Sequence, residues 1–417
     1  MGKALLIAGG ANQLDTLDEF NLFGYDNEVS AETNTQFSAT EAATFSNIRG
    51  NIISGGSGTN NFQFRKAGAN GNQLGTRAGA GTFEDAVNTD VLAAADLFNI
   101  AYTDTGSASV CSSVVGTVSF SSGHGNFHGA CNDYNAGLIY DVESATRFLP
   151  ISGNLIADGT ATEANVGYLN RAYTSWEALQ VRVVANSRTN DSVFANRINL
   201  ADGTGVVTFG AGVTGLVVDT TIGDAIAATD ELDISLTLLT GVENLEVIFV
   251  GATLKASSGT KSETFASGGG TGVARTASAT AHYMPIGGIL PSLIAFTEAQ
   301  ARIKPGFAGT ASNLRCYLSA NTYSVNGTLK LFLNGVEALT TTITLLGGAG
   351  WYENTADTVA FDDNDELSFE FVGGTTGSIT IEMVGVTLQD DTAGAAGVAG
   401  HGLLLSHKRN RLVQVAA

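Results

Sequence analysis

Apolar and polar residues alternate with period two in many short stretches of this chain. Leu179-Gln180-Val181-Arg182-Val183-Val184, Leu329-Lys330-Leu331-Phe332-Leu333, Leu367-Ser368-Phe369-Glu370-Phe371 and Ile379-Thr380-Ile381-Glu382-Met383-Val384 each read as a half-buried strand. Phe62-Gln63-Phe64 and Val193-Phe194 read as shorter versions. Between them stand turn formers such as Asn334-Gly335 and the acidic run Asp362-Asp363-Asn364-Asp365-Glu366. Strands of this length, with turn signals roughly every 8–12 residues, predict an all-β protein built of β-sandwiches. Long Gly-rich connections favour a jelly roll over a simpler sandwich.

The pattern repeats. Gly81, Gly215 and Gly350 are 134 and 135 residues apart, as are Asp96, Asp230 and Asp365. Gly116, Gly251 and Gly385 follow at 135 and 134, and Arg49, Arg182 and Arg315 at 133 and 133. Constant spacing at four positions marks three tandem copies of one unit. The reading places them at residues 1–143, 144–280 and 281–395, with a terminal strand and basic arm at 396–417. Leu6-Ile7-Ala8-Gly9-Gly10, Leu149-Pro150-Ile151-Ser152-Gly153 and Met284-Pro285-Ile286-Gly287-Gly288 are read as matching opening strands. Ser121 to Ala145 and Ser257 to Ala281, rich in Gly, Ser, Thr and Ala, read as linkers or extended arms. Three stacked sandwiches then make a rod or bent arm.

Composition narrows the function. There are 20 basic and 40 acidic residues, a net charge of −20. That balance argues against a duplex nucleic-acid binder, which needs a basic face, and against docking on an anionic membrane. Three cysteines (Cys111, Cys131, Cys316) make no disulfide framework and suit a reducing compartment. No run of about 18 apolar residues is present for a membrane helix. The apolar start, Ala4 to Ala8, is too short for the ~7–15-residue core of a signal peptide.

Candidate chemistry is sparse. His124, His128, Cys131 and Asp133 carry competent metal ligands, yet their spacing fits no standard zinc pattern. They read as an ordinary surface loop. Asp362, Asp363, Asp365 and Glu366 could hold calcium through oxygen, but the EF-hand pattern is absent. Asp96, Asp230 and Asp365, each just before a strand, read as turn-fixing residues that accept backbone N–H groups. Arg49, Arg182 and Arg315 read as structural, paired within their own copy with that Asp or bonded to a loop; a partner on another subunit is the alternative. No nucleophile elbow, metalloprotease helix motif or phosphate-binding loop occurs, so neither an enzyme nor a cofactor is expected.

The Gly/Ala/Thr-rich β-sandwich repeats, the acidic balance and the basic tail His407-Lys408-Arg409-Asn410-Arg411 resemble virion structural proteins of tailed bacteriophages. Capsid decoration (cement) proteins and fibres are of this kind. The resemblance implies a virion location, assembly in the host cytoplasm, a homo-oligomer (a trimer first) and contact with major capsid or tail proteins. Decoration is the first expectation. Leu5, Leu6 and Ile7 in the opening strand, and Leu403, Leu404, Lys408, Arg409 and Arg411 in the tail, are the candidate assembly contacts. A tail-fibre, spike or surface-adhesin protein that binds a host glycan is the alternative. Its candidate stacking residues are Tyr134, Tyr140, Trp176, Tyr323, Trp351 and Tyr352.

Overall fold

A computed structural model describes residues 4–8, 12–14, 17–20, 32–55, 57–106, 109–121, 124–131, 138–141, 145–155, 159–241, 243–256, 261–267, 273–276, 281–289, 297–345 and 347–391. The first group of elements is β1 (Ala4–Ala8), β2 (Asn12–Leu14), β3 (Leu17–Phe20), α1 (Glu32–Thr35), β4 (Phe37–Ser38) and β5 (Ala43–Ser54). It continues with β6 (Thr59–Lys66), β7 (Ala69–Ala78), β8 (Gly81–Leu92), β9 (Leu97–Asp104) and β10 (Ser109–Phe120). The second contains β11 (His124–Cys131), β12 (Leu138–Tyr140), β13 (Thr146–Leu149), β14 (Gly153–Asn154), a 3₁₀ turn (Glu163–Asn165) and β15 (Tyr168–Leu169). Then come β16 (Ser175–Asn186), β17 (Ser192–Ile198), β18 (Ala201–Phe209), β19 (Gly215–Asp219), β20 (Asp224–Ala225), β21 (Glu231–Leu238) and β22 (Leu245–Ala256). The third holds β23 (Lys261–Ser267), β24 (Val273–Thr276), β25 (Ala281–Met284), β26 (Gly288–Ile289), α2 (Glu298–Ala301) and β27 (Gly309–Asn321). It ends with β28 (Gly327–Leu333), β29 (Val336–Leu345), β30 (Gly350–Phe361), β31 (Leu367–Val372) and β32 (Ser378–Asp390).

The chain is all-β, and each group forms two facing sheets. The first pair has strand orders β1-β10-β5-β8 and β3-β9-β6-β7. The second has β11-β22-β16-β19 and β13-β21-β17-β18, and the third β23-β32-β27-β30 and β25-β31-β28-β29. One order therefore occurs three times. It is a jelly roll: first and last strands lie side by side, and successive strands cross between the sheets except at the hairpins β6–β7, β17–β18 and β28–β29. Inward positions from both sheets fill the cores. Phe45, Ile48 and Val114 meet Phe62, Phe64 and Phe98 in the first; Leu179, Val181 and Val247 meet Phe194, Ile234 and Leu236 in the second; Leu314, Leu318 and Ile381 meet Leu329, Leu331 and Phe369 in the third.

Strand pairing moves the unit boundaries. Residues read as linkers hold the first strands of the next unit: β11 pairs with β22 and β23 with β32, as β1 pairs with β10. The joints therefore fall at residues 121–124 and 256–261 rather than at 143 and 280. The counterparts of β1 are β11 and β23. The stretches ending in Leu149 and Met284 belong to β13 and β25, which occupy the place of β3. The sequence hid these strands because they are not apolar runs. Buried Asn126, His128, Ser262, Glu263 and Thr264 lie along them.

The repeated residues have local tasks. Gly81, Gly215 and Gly350 open β8, β19 and β30 at φ of 126°, 111° and 129°, a region that favours glycine. Asp96, Asp230 and Asp365 each accept the backbone N–H three residues back, from Ala93, Ala227 and Asp362, at 2.6–2.7 Å. Gly116 and Gly251 sit where a Cβ would fall 2.1 Å from the Phe45 ring and 2.5 Å from the Phe249 ring.

Candidate functional site

The three units close on themselves. β1, β11 and β23 are mutual neighbours, so the first strands of all three units meet. Around them each repeated arginine reaches into a different unit, at the segment that follows its short helical turn. Arg49 of the first unit donates through Nε and Nη2 to the backbone carbonyls of Lys304 and Pro305 in the third. Arg315 of the third donates to the carbonyl of Leu169 at 2.9 Å and to the Tyr168 hydroxyl at 2.6 Å, both in the second. Arg182 of the second donates to the Gln36 carbonyl of the first at 3.4 Å. The sense is cyclic, first to third to second to first. The molecule is a closed ring with pseudo-threefold order, not a rod.

The partner expected within each copy, the repeated Asp, is not the one found. Asp96, Asp230 and Asp365 are occupied by their turns, and Arg315 finds its ion-pair partner in Glu263 at 3.0 Å, both side chains fully buried. The guanidinium of Arg315 also donates to the Asn313 carbonyl at 2.9 Å. Desolvation lowers the Arg49 guanidinium to about 9, against the pull of Glu84, and lowers Arg182 to about 10. An arginine suits this position because its planar fork serves several carbonyls at once and keeps its charge at neutral pH even here.

Each seam adds its own contacts. Between the first and second units, Phe37 packs edge-on against Phe127 and Phe249 at 5.2 Å. Gln180 there mimics a strand, accepting from the Ser38 N–H at 3.0 Å and donating to its carbonyl at 2.8 Å. Lys255 and Glu41 pair at 3.1 Å. Between the second and third, Tyr168 stacks on Phe265 at 4.0 Å, Arg171 pairs with Glu353, and Trp351 donates to Glu231 at 3.0 Å. Between the third and first, Ile303 and Val115 share an apolar cluster, Asn47 donates to the Gly306 carbonyl, and Lys304 pairs with Glu84 at 2.7 Å. A cavity of about 260 Å³ lies at this last seam, lined by Arg49, Glu84, Arg302, Lys304 and Glu366 among others. Arg302 and Lys304 are ion-paired there, to Glu298 and Glu366 and to Glu84.

The remaining candidates do not assemble into a centre. His128 is not on a surface loop but buried on β11. It stacks on Phe265 at 5.1 Å, and burial pushes its imidazole down to about 3. Tyr173 accepts the Glu263 N–H at 2.9 Å and lies 2.8 Å from His128 Nε2, an arrangement in which its hydroxyl donates to the neutral ring. Cys131 is a buried thiol outside any disulfide; the side chain of His124, and all of Asp133 and Tyr134, lie outside the described residues. Among the described residues no group of three His, Cys, Asp or Glu side chains could hold a metal. The backbone of Leu5, Leu6 and Ile7 pairs with Thr117, Gly116 and Val115 of the same chain, so β1 completes its own sheet. Leu403, Leu404, Lys408, Arg409 and Arg411 lie outside the described residues. Of the aromatic candidates, Tyr140, Trp176 and Tyr323 are buried, and Trp351 and Tyr352 are half-buried.

No family model and no curated protein matches the chain. Among solved structures, a chain from the atomic structure of Sulfolobus Turreted Icosahedral Virus aligns over 92% of this chain and 92% of its own, at 11% identity and a TM-score of 0.19. A likeness that weak carries no argument.

The Arg315–Glu263 pair generates two predictions. Glu263 also accepts the Arg171 N–H at 2.8 Å, and its carboxyl is pushed up to about 7 by burial, against the attraction of Arg315. Arg315 has four acceptors besides Glu263, the carbonyls of Leu169 and Asn313 and the hydroxyls of Tyr168 and Thr387, whereas Glu263 keeps the Arg171 N–H and the Thr387 hydroxyl besides Arg315. Removing the cation strands more than removing the anion. Arg315→Met is expected to lower unfolding free energy by about 3–5 kcal/mol in a denaturant titration. A loss under about 1 kcal/mol would show that the guanidinium holds nothing at the seam.

For Glu263 the folded pKa lies above the unfolded value of about 4.3. Its contribution is therefore full below that value and is lost as pH rises through about 7. Glu263→Gln is expected to match the parent near pH 4.5 and to exceed it above pH 7, by something on the order of 3 kcal/mol. A constant difference across this range in pH-dependent melts would contradict the burial effect.

Proposed function

We propose that the chain is a non-enzymatic virion structural protein that decorates a capsid and bridges its subunits. The observation that supports the reading most is the ring itself. One chain builds three similar sandwiches, joined by buried cyclic contacts, as a compact block with three related faces. Such a block suits a local threefold position on a shell, where it can touch several subunits at once and add contact area across their joints. The threefold arrangement that a homotrimer would supply is met within one chain, so the proposed working unit is a single ring bound to major capsid proteins. The net charge of −20 favours solubility at high copy number and opposes non-specific binding to nucleic acid.

Receptor or glycan binding by a fibre, spike or adhesin is the competing role. It draws little from the aromatic residues, since the described candidates are buried or half-buried. The test is co-sedimentation of the purified protein with capsids stripped of accessory proteins, with host cells in parallel. Saturable binding to capsids at a fixed number of copies is expected. Adsorption to cells without binding to capsids would replace decoration with the receptor role.

A further inference from the structure

The second unit carries an acid where its two relatives carry neutral donors. Three residues beyond Asp96, Asp230 and Asp365 stand Asn99, Asp233 and Ser368. The strand registers match as well: Arg65 pairs with Asn99, Arg197 with Asp233 and Phe332 with Ser368. In every unit a glutamate opens the short helical turn beside this position: Glu32, Glu163 and Glu298. Arg65 holds both oxygens of Glu32 at 2.9 and 2.7 Å, and Arg197 those of Glu163 at 2.6 and 3.0 Å. In the third unit Arg302 donates to Glu298 at 2.6 Å, and Ser368 donates to the same carboxylate at 3.2 Å. In the first, Asn99 donates at 2.6 Å to Thr35, on the same turn as Glu32. Asp233 can act as the donor toward its turn only with a proton on its carboxyl.

The surroundings of Asp233 agree. It is 1% exposed, its carboxyl meets that of Glu163, and no N–H or O–H group donates to its Oδ1. An ionised carboxylate so placed is costly, and a protonated one much less so. Burial first, and then the Glu163 carboxylate, hold the Asp233 carboxyl well above the ordinary range, against the pull of Arg197. The charged groups that meet the pair are Arg197 on β17, Asp202 on β18 and Glu231 on β21. Arg197 is committed to Glu163, to Asp202 at 2.5 Å and to the Leu200 carbonyl. Arg147 of β13 and Tyr168 of β15 pair with Leu236 and Leu232, an odd number of residues from Asp233, and so lie on the other face of the sheet.

We infer that Asp233 and Glu163 share a proton in the closed ring, and that its loss unlatches residues 163–169 and loosens the seam between the second and third units. Glu163 opens the turn that leads into Tyr168 and Leu169, whose hydroxyl and carbonyl receive Arg315 of the third unit. Glu231, beside the pair, accepts from Trp351 across the same seam at 3.0 Å. With the proton gone, two adjoining carboxylates face one guanidinium, and like charges at that range repel. Asp233 is fixed within β21, so the turn carrying Glu163 is the part that moves. The folded pKa of Asp233 is raised above its unfolded value of about 3.9. Its contribution is therefore full below that value and is lost as pH rises through the folded pKa, so the latch yields toward alkaline pH. The inference stands on the ring and the divergence between units and does not depend on capsid decoration.

The test compares the full chain with Asp233→Asn, the residue of the first unit, and Asp233→Ser, that of the third. Each is followed from about pH 5 to about pH 9 by denaturant titration and by hydrogen–deuterium exchange read by peptide mass spectrometry. Relative to either variant, the folded-to-unfolded ratio of the parent is expected to fall by up to about tenfold per pH unit until the folded pKa is reached. Opening of residues 163–169, corrected for the intrinsic exchange rate, is expected to rise with pH in the parent and to stay level in the variants. Both variants carry a residue that a sister unit already accommodates, and either one alone decides the outcome. Parallel pH dependence in parent and variant would overturn the shared proton. A parent whose stability falls while 163–169 stays equally protected across the range would overturn the latch.

Discussion

A guanidinium buried against the backbone carbonyls of the next unit is the contact on which the rest of this structure depends. A carbonyl at a seam between sheets has no ladder partner, and leaving it dry and unpaired costs about 1–3 kcal/mol. Arg49 and Arg315 meet that need with several donors each, and Arg182 contributes a longer bond to Gln36. Because the sense of the three contacts is cyclic, each unit both gives an arginine and receives one. Other repeated features fit the same geometry. Glycine at 116 and 251 leaves room for aromatic rings, and a residue on the segment that receives the arginine, Phe37, Tyr168 or Ile303, packs into the neighbouring unit.

The seams share a plan but not a chemistry. The first-to-second seam is aromatic with a glutamine in the role of a strand edge, and the second-to-third carries the Arg171–Glu353 ion pair and the bonds of Arg315 to Leu169 and Tyr168. The third-to-first is more polar and borders a cavity. A single tandem chain permits this, since each seam occurs once and can change without altering the other two. A homotrimer must carry every substitution three times.

The strand class and the repeat were legible because both rest on local signals: period-two alternation, Asn-Gly turns, and glycines at positive φ at constant spacing. The Gly-rich connections favour a jelly roll, but the strand order is not legible in them and comes from the pairing of the strands. The boundaries were not legible. The strands β11 and β23 carry His, Asn, Glu and Thr, whose burial at the meeting point of three units makes them look like linker when each unit is judged alone. The arginines were recognised as structural from their recurrence. A nearby repeated Asp is the obvious partner in sequence, whereas the ion pair of Arg315 is with Glu263 of its own unit. The true acceptors are mainly backbone carbonyls, which leave no trace in residue identity. Ring closure is likewise a long-range property, with Arg49 and Lys304 separated by 255 residues.

The measurement that tests the closed ring most directly is zero-length carbodiimide cross-linking of the monomer, read by peptide mass spectrometry. Lys304 and Glu84 lie 2.7 Å apart across the seam between the last and first units, and both side chains are partly accessible. The ring predicts an intrachain Lys304–Glu84 amide at a yield comparable to Lys255–Glu41, the 3.1 Å pair between the first and second units. A Lys255–Glu41 product without any Lys304–Glu84 product would mean that the third unit does not return to the first, and the chain would be an open array.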